Sequence, residues 1–175
     1  MIRPVVRGTL AALAAALLAL APAHAQTGGP AAPATGGWGI TVAAGVMSYD
    51  RSVAGNAAVL AVRGDLPLGG SFRLEPGVAV GLPARSGEST FFIPEVQVQA
   101  GARLGVVEPY AGLGLGLYQR ARSSELAFSL GAGARVGLTD ALGVVVDGRI
   151  HGMGAGVEAA AGGVTVGVRW RPGAR

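Results

Sequence analysis

Between about Trp38 and Trp170 the side chains sort by strict alternation, with the charges on one parity and apolar residues on the other. Phe72, Leu74, Pro76, Val78, Val80 and Leu82 share one parity, and Ser71, Arg73, Glu75, Gly77, Ala79 and Gly81 the other. From Phe91 to Leu104 the pattern returns: Phe92, Pro94, Val96, Val98, Ala100, Ala102 and Leu104 against Glu95, Gln97, Gln99, Gly101 and Arg103. Successive side chains of a strand point to opposite faces, so a period of two sorts them into two environments. A soluble sheet hides its apolar face and wets its polar one. Here the pattern recurs in about eight segments behind an export signal, which predicts the reverse: a closed barrel, apolar outside and polar inside, as in a transmembrane β-barrel.

Residues 1–25 read as a cleaved signal peptide. Arg3 and Arg7 supply its basic start, Thr9 to Ala21 its Ala/Leu stretch, and Ala23-His24-Ala25 its small-x-small cleavage site. That stretch is too short to span a bilayer as a helix, which needs roughly 20 apolar residues. No Cys follows it, so no lipoprotein anchor is expected. Gln26 to Gly37 is a Gly/Pro/Ala lead without periodicity, 38–170 the barrel and 171–175 a tail, with no appended domain expected.

The chain has 14 basic residues, all arginine, and 10 acids. Two arginines leave with the signal and the others are scattered along the strands, unlike the clustered patch of a nucleic-acid binder. Gly is 31 of 175, too frequent for a helical fold, where each costs up to about 1 kcal/mol. Zero Cys excludes a disulfide scaffold, and a single histidine after cleavage, His151, argues against a transition-metal centre. No cofactor is expected.

The pattern predicts an all-β fold, an eight-stranded antiparallel up-and-down meander with strands near 38–49, 57–66, 71–82, 91–104, 109–118, 126–138, 142–152 and 163–170. Most approach the 9–11 residues that a tilted strand needs to cross a membrane. Three short connections (67–70, 105–108, 139–141) alternate with four longer ones (50–56, 83–90, 119–125, 153–162). Short periplasmic turns and longer external loops fit that order. Trp38, Phe72 and Trp170 then fall at periplasmic strand ends, and Phe92 and Phe128 at external ends, as interfacial girdles require. Pro76 and Pro94 sit inside strands, so bulges or pairing defects are expected beside them.

The inward parity collects Arg63, Asp65, Arg73, Glu75, Glu95, Gln97, Gln99, Arg103, Arg135, Asp147, Arg149 and Arg169. An arginine facing lipid at the midplane costs about 2–4 kcal/mol, so these belong inside. Eight strands leave a lumen that side chains can fill, which predicts a paired, charged plug. Gly112, Gly114 and Gly116, between Tyr110 and Tyr118, would leave room for arginines reaching across. These glycines lie in a strand with no helix behind it, so they are not a phosphate loop.

The run Glu108-Pro109-Tyr110-Ala111-Gly112-Leu113-Gly114-Leu115-Gly116-Leu117 resembles the "PYxGxGxG" strand of small outer-membrane β-barrel proteins, a family similar to the transmembrane domain of outer membrane protein A. Val164, Val166, Val168 and Trp170 in the closing strand resemble the C-terminal signal by which the outer-membrane assembly machinery recognises such chains, although Arg171 to Arg175 follow the aromatic. The resemblance implies an outer-membrane location, with outer-membrane lipid and that machinery as partners. The larger relatives' tethering to the cell wall is not carried over.

The expected function is a monomeric membrane barrel with a structural or surface-interaction role, and no enzyme. A narrow pore or transporter for small solutes is the first alternative. A lipid-modifying enzyme is the second: His151 near Ser123 and Ser124 at the rim reads as a satisfied rim histidine, with Asp147 about 13 Å along the strand and too far to pair. A soluble lipocalin-like barrel is the rival fold, and it would need charges outside.

Overall fold

Eight strands alternate in this manner because β-branched, aromatic and leucine side chains occupy every second position, which suits a pleated wall with two environments. The computed structural model describes residues 37–50, 55–85, 87–121, 123–154 and 159–172. The strands are β1 (Gly39–Asp50), β2 (Gly55–Gly69), β3 (Phe72–Pro83), β4 (Phe91–Gly101), β5 (Val107–Arg120), β6 (Ser123–Gly137), β7 (Leu142–Met153) and β8 (Ala159–Trp170). Each pairs antiparallel with the next, and β1 closes the sheet on β8 from Ile40↔Trp170 to Asp50↔Ala160. The result is a closed meander barrel with no helix among the described residues. The expected signal peptide and nearly all of the lead lie outside the described residues, as does most of the tail.

The parity divides the wall as expected. Leu113 is 68% exposed on the outer face, and Val42, Leu60, Val98 and Val166 are exposed beside it. On the inner face Arg149 is 3% and Asp147 1% exposed. Every charged strand residue whose side chain is described shares the inward parity. A soluble lipocalin-like barrel would show the opposite arrangement. An apolar outer surface this continuous is far larger than soluble monomers expose.

The connections differ from the expected short–long alternation. Only 121 and 122 separate β5 from β6, where a longer loop over 119–125 was expected. The β5–β6 ladder runs on through Gln119↔Ser124 and Arg120↔Ser123, because backbone pairing continues past the last apolar alternation. At the other end β2 extends to Gly69, and the register shifts between Pro67 and Gly69. Gly69 and Gly70 hold φ of 111° and 57°, a region that non-glycine residues rarely enter, and so make the tight reversal into β3. Thr139 Oγ1 accepts the amides of Ala141 and Leu142, at 3.3 and 3.0 Å, to shape the β6–β7 turn.

Pro76 and Pro94 each interrupt pairing without moving the register. The β2–β3 partners skip from Arg63↔Gly77 to Leu66↔Leu74 beside Pro76. The β4–β5 partners skip from Phe92↔Gln119 to Glu95↔Gly116 beside Pro94. Each proline lacks the N–H that a ladder bond would need. Trp38, Phe72 and Trp170 lie exposed at the end where β1 begins and β8 ends, here called the turn end, and Phe92 and Phe128 near the opposite, loop end.

Candidate functional site

The barrel interior is built in two tiers. Inward positions toward the turn end and middle are ionic, and those toward the loop end are apolar. The ionic tier draws on β2 to β8: Arg63, Asp65, Arg73, Glu75, Glu95, Glu108, Arg135, Asp147, Arg149 and Arg169, with Gln97, Gln99, Tyr110, Ser129, His151 and Thr165 among them.

Arg149 is its centre. Nη2 donates to Glu75 Oε1 at 2.7 Å, Nε to Asp147 Oδ1 at 3.1 Å, and Nη1 to Glu95. Arg63 Nη1 also reaches Asp147 Oδ1 at 3.1 Å, and Thr165 Oγ1 lies 3.4 Å from it. Tyr110 donates its hydroxyl to Asp147 Oδ2 at 2.8 Å, and the Arg135 guanidinium stacks 3.9 Å from the Tyr110 ring centroid. Toward the turn end Glu108 accepts from Arg135 Nη1 at 3.0 Å and Arg73 Nε at 3.1 Å. Asp65 is shared by Arg73, at 3.3 Å, and Arg169. Arg135 Nη2 lies 3.8 Å from Glu75 and bonds Gln99, which joins the two ends of the network.

Five arginines and five carboxylates thus neutralise one another within a wall whose outside is apolar. Pairing of this kind offsets the desolvation of buried charge, which is otherwise several kcal/mol per ion. Gln97 and Gln99 continue the network to Ser129 through bonds of 2.7 and 3.5 Å. Among the described residues three buried side-chain nitrogens lack a hydrogen-bond partner: Arg63 Nε, His151 Nδ1 and Arg169 Nε. Arg63 and His151 also line an interior cavity of about 10 Å³, on the order of one water.

The apolar tier caps the ionic one on the loop side. Tyr49, Phe91 and Tyr118 pack in sequence, with ring centroids 5.9 and 5.1 Å apart and Tyr49 edge-on to Phe91, beside Met47, Val59, Ile93 and Met153. The Tyr49 hydroxyl donates to Glu88 in the β3–β4 connection, and Arg120 Nη2 lies 3.9 Å from the same carboxylate.

Two expected placements need correction. Arg103 is not in the lumen. The β4 ladder ends at Gly101, the chain reverses at Gly105 with φ 63°, and Arg103 is exposed, its Nε 3.4 Å from the Gly105 carbonyl. His151 is not at the rim: it is 2% exposed, and its Nε2 lies 3.2 Å from Glu95 Oε2. Ser123 and Ser124, by contrast, are exposed at the start of β6. Gly112, Gly114, Gly116, Gly131 and Gly133 make room for β4 side chains, Ser129 and Tyr110, not for arginines reaching across. A Cβ on Gly112 would come within 2.7 Å of Gln99 Cγ, and one on Gly131 within 2.8 Å of Gln97 Nε2.

Sequence reasoning misses Glu108: it belongs to β5, where it shares the parity of Tyr110, and not to the 105–108 turn. Such reasoning also misses the apolar tier, although Phe91 and Ile93 share the parity of Glu95 and so are legible as inward. Val164, Val166 and Val168 lie on the exposed outer face of β8, with Trp170 at its end.

No protein-family model matches this chain, and no curated protein matches it. Among solved structures, Neisserial surface protein A is similar, with 11% identity over 77% of this chain and 96% of that one, at a TM-score of 0.68. Ail, the attachment invasion locus protein of Yersinia pestis, shares 12% identity over 78% and 98% of the two chains, at a TM-score of 0.56. A de novo designed transmembrane β-barrel shares 15% identity over 76% and 94%, at a TM-score of 0.51. At these identities the likeness is one of fold: the chain has the architecture of the small eight-stranded outer-membrane barrels.

Proposed function

We propose that this protein is an outer-membrane β-barrel with a structural or surface-interaction role, whose lumen is closed. One observation carries the reading: an apolar outer wall encloses a charge-neutral ionic tier and an aromatic tier stacked end to end. The apolar wall suits a lipid surround, and the signal-like residues 1–25 suit export to the outer membrane. The exposed Val164, Val166, Val168 and Trp170 on β8 support recognition by the outer-membrane assembly machinery. Outer-membrane lipid and that machinery are the expected partners, and the mature barrel is expected to be a monomer.

Two tiers of opposite character close the lumen more firmly than either would alone. An ion entering from the loop end meets the Tyr49–Phe91–Tyr118 cluster, and one entering from the turn end meets bridged guanidinium groups. Membrane fractionation and planar-bilayer recording test the reading. Resistance to carbonate extraction, altered gel mobility without heating and no steady conductance are expected. Release by carbonate refutes the membrane barrel, and stable ion-selective channels refute the plug in favour of a narrow pore.

A further inference from the structure

Four arginines line one small cavity at the turn end. Arg103 comes from the β4–β5 turn, Arg135 from β6, Arg169 from β8 and Arg171 from just beyond it, around a space of about 30 Å³. Glu108 is the carboxylate in its wall, and Arg73 and Arg135 already share it. Asp65 is likewise divided between Arg73 and Arg169. Arg103 and Arg171 have no carboxylate partner among the described residues. Arg169 is 5% exposed, and its Nε has no acceptor.

Positive charge therefore exceeds negative charge at this mouth, and a buried N–H lacks a hydrogen-bond partner. An unpaired buried donor is unfavourable, and a charged acceptor relieves it more than a neutral one. The ligand must also serve guanidinium groups arriving from three separate parts of the chain. A carboxylate has two oxygens, whereas a phosphate offers three or four, and the planar guanidinium fork matches phosphate geometry. Val136 and Val144, at the outer parity of β6 and β7, adjoin the same cavity. A phosphate bound there has an apolar wall beside it for any attached hydrocarbon.

We propose that the turn-end mouth is a phosphate-binding site formed by Arg103, Arg135, Arg169 and Arg171. The shared chemistry is a phosphate oxyanion, free in solution or carried on an anionic lipid headgroup.

The experiment uses the full chain refolded in dodecyl maltoside, with folding verified by gel mobility without heating. Inorganic phosphate is titrated against chloride at matched ionic strength while the thermal unfolding midpoint is followed. In a parallel series phosphatidylglycerol is added to the micelles, with phosphatidylcholine as the zwitterionic control. Binding to the folded state raises the midpoint in a saturable way. Arg103→Gln combined with Arg171→Gln should weaken the apparent affinity by about tenfold or more, since each arginine supplies a charge-assisted bond. Arg103→Gln alone, at an exposed position, supplies the comparison if the double variant does not fold. A saturable response to inorganic phosphate supports the site with a free anion as its source, and a response to phosphatidylglycerol alone supports the site with a headgroup. Absence of both responses in the parent, or parental affinity in the folded variants, overturns the proposal.

Discussion

Arg149 Nη2 donates to Glu75 Oε1 at 2.7 Å, although 74 residues separate them in the chain. β7 and β3 are not neighbours in the sheet, so this bond crosses the lumen and forms only when the barrel is closed. Glu75 also lies 3.8 Å from Arg135 and 4.0 Å from Arg63, which makes it the acid that three strands share.

Glu75→Ala should accordingly destabilise the barrel by about 3–5 kcal/mol, because removing one partner strands buried charge. Equilibrium urea unfolding in lipid vesicles measures this. Arg103→Gln, at an exposed turn position, should stay within about 0.5 kcal/mol of the parent. Equal losses in the two variants would contradict the network.

Val96 lies midway along β4 and is 46% exposed on the outer wall. Val96→Arg should cost about 2–4 kcal/mol in a bilayer, where the side chain faces hydrocarbon. Trp170→Arg, at a strand end, should cost about 0–1 kcal/mol in the depth-dependent lipid term, with the lost ring contacts added. Refolding titrations into vesicles separate these values, and the same variants in water-filled detergent mixtures should differ less.

Gly131 faces the interior against Gln97, whose side chain is fully buried. Gly131→Val therefore overpacks the polar tier and should destabilise by about 1–3 kcal/mol. Leu113→Val, on the exposed outer wall, should be nearly neutral. Denaturant midpoints compare the two. The same packing makes Gln97→Arg costly, although parity alone suggests that a polar lumen would accept it.

Tyr49→Phe removes the hydroxyl that holds Glu88, and with it a tether on the β3–β4 connection. A hydrogen bond to a charged group contributes about 1.5–3 kcal/mol, so local opening should become at least about tenfold more frequent. Arg85 is exposed in that connection and supplies a trypsin site. Limited proteolysis from the loop side should show faster cleavage after Arg85 in the variant, with the barrel strands still protected.

Alternation alone determined which residues face inward, because a strand offers only two sides. The inward, buried positions of Arg63, Glu75, Glu95 and Arg149 follow from parity in this way. Their pairing was not legible, since partners such as Arg149 and Glu95 are set by the closure of the sheet and by height along the barrel axis. Pairing also explains His151: its neighbours on β7 gave no partner, whereas Glu95 lies on β4. The strand ends at Arg120 and Ser123 were hidden for another reason: the backbone ladder continues there through polar residues that carry no apolar alternation.

The distribution of the interior ions along the chain bears on how the barrel assembles. Among them, β2 to β5 bring Arg63 and Arg73 against Asp65, Glu75, Glu95 and Glu108, a negative excess. β6 to β8 bring Arg135, Arg149 and Arg169 against Asp147, a matching positive excess. Half of the nascent sheet is thus an anion and the other half a cation, and each draws the other inward as the ribbon curls. Electrical neutrality and topological closure arrive in the same step, so a sheet left open in the membrane would hold two opposed charges with nowhere to discharge them.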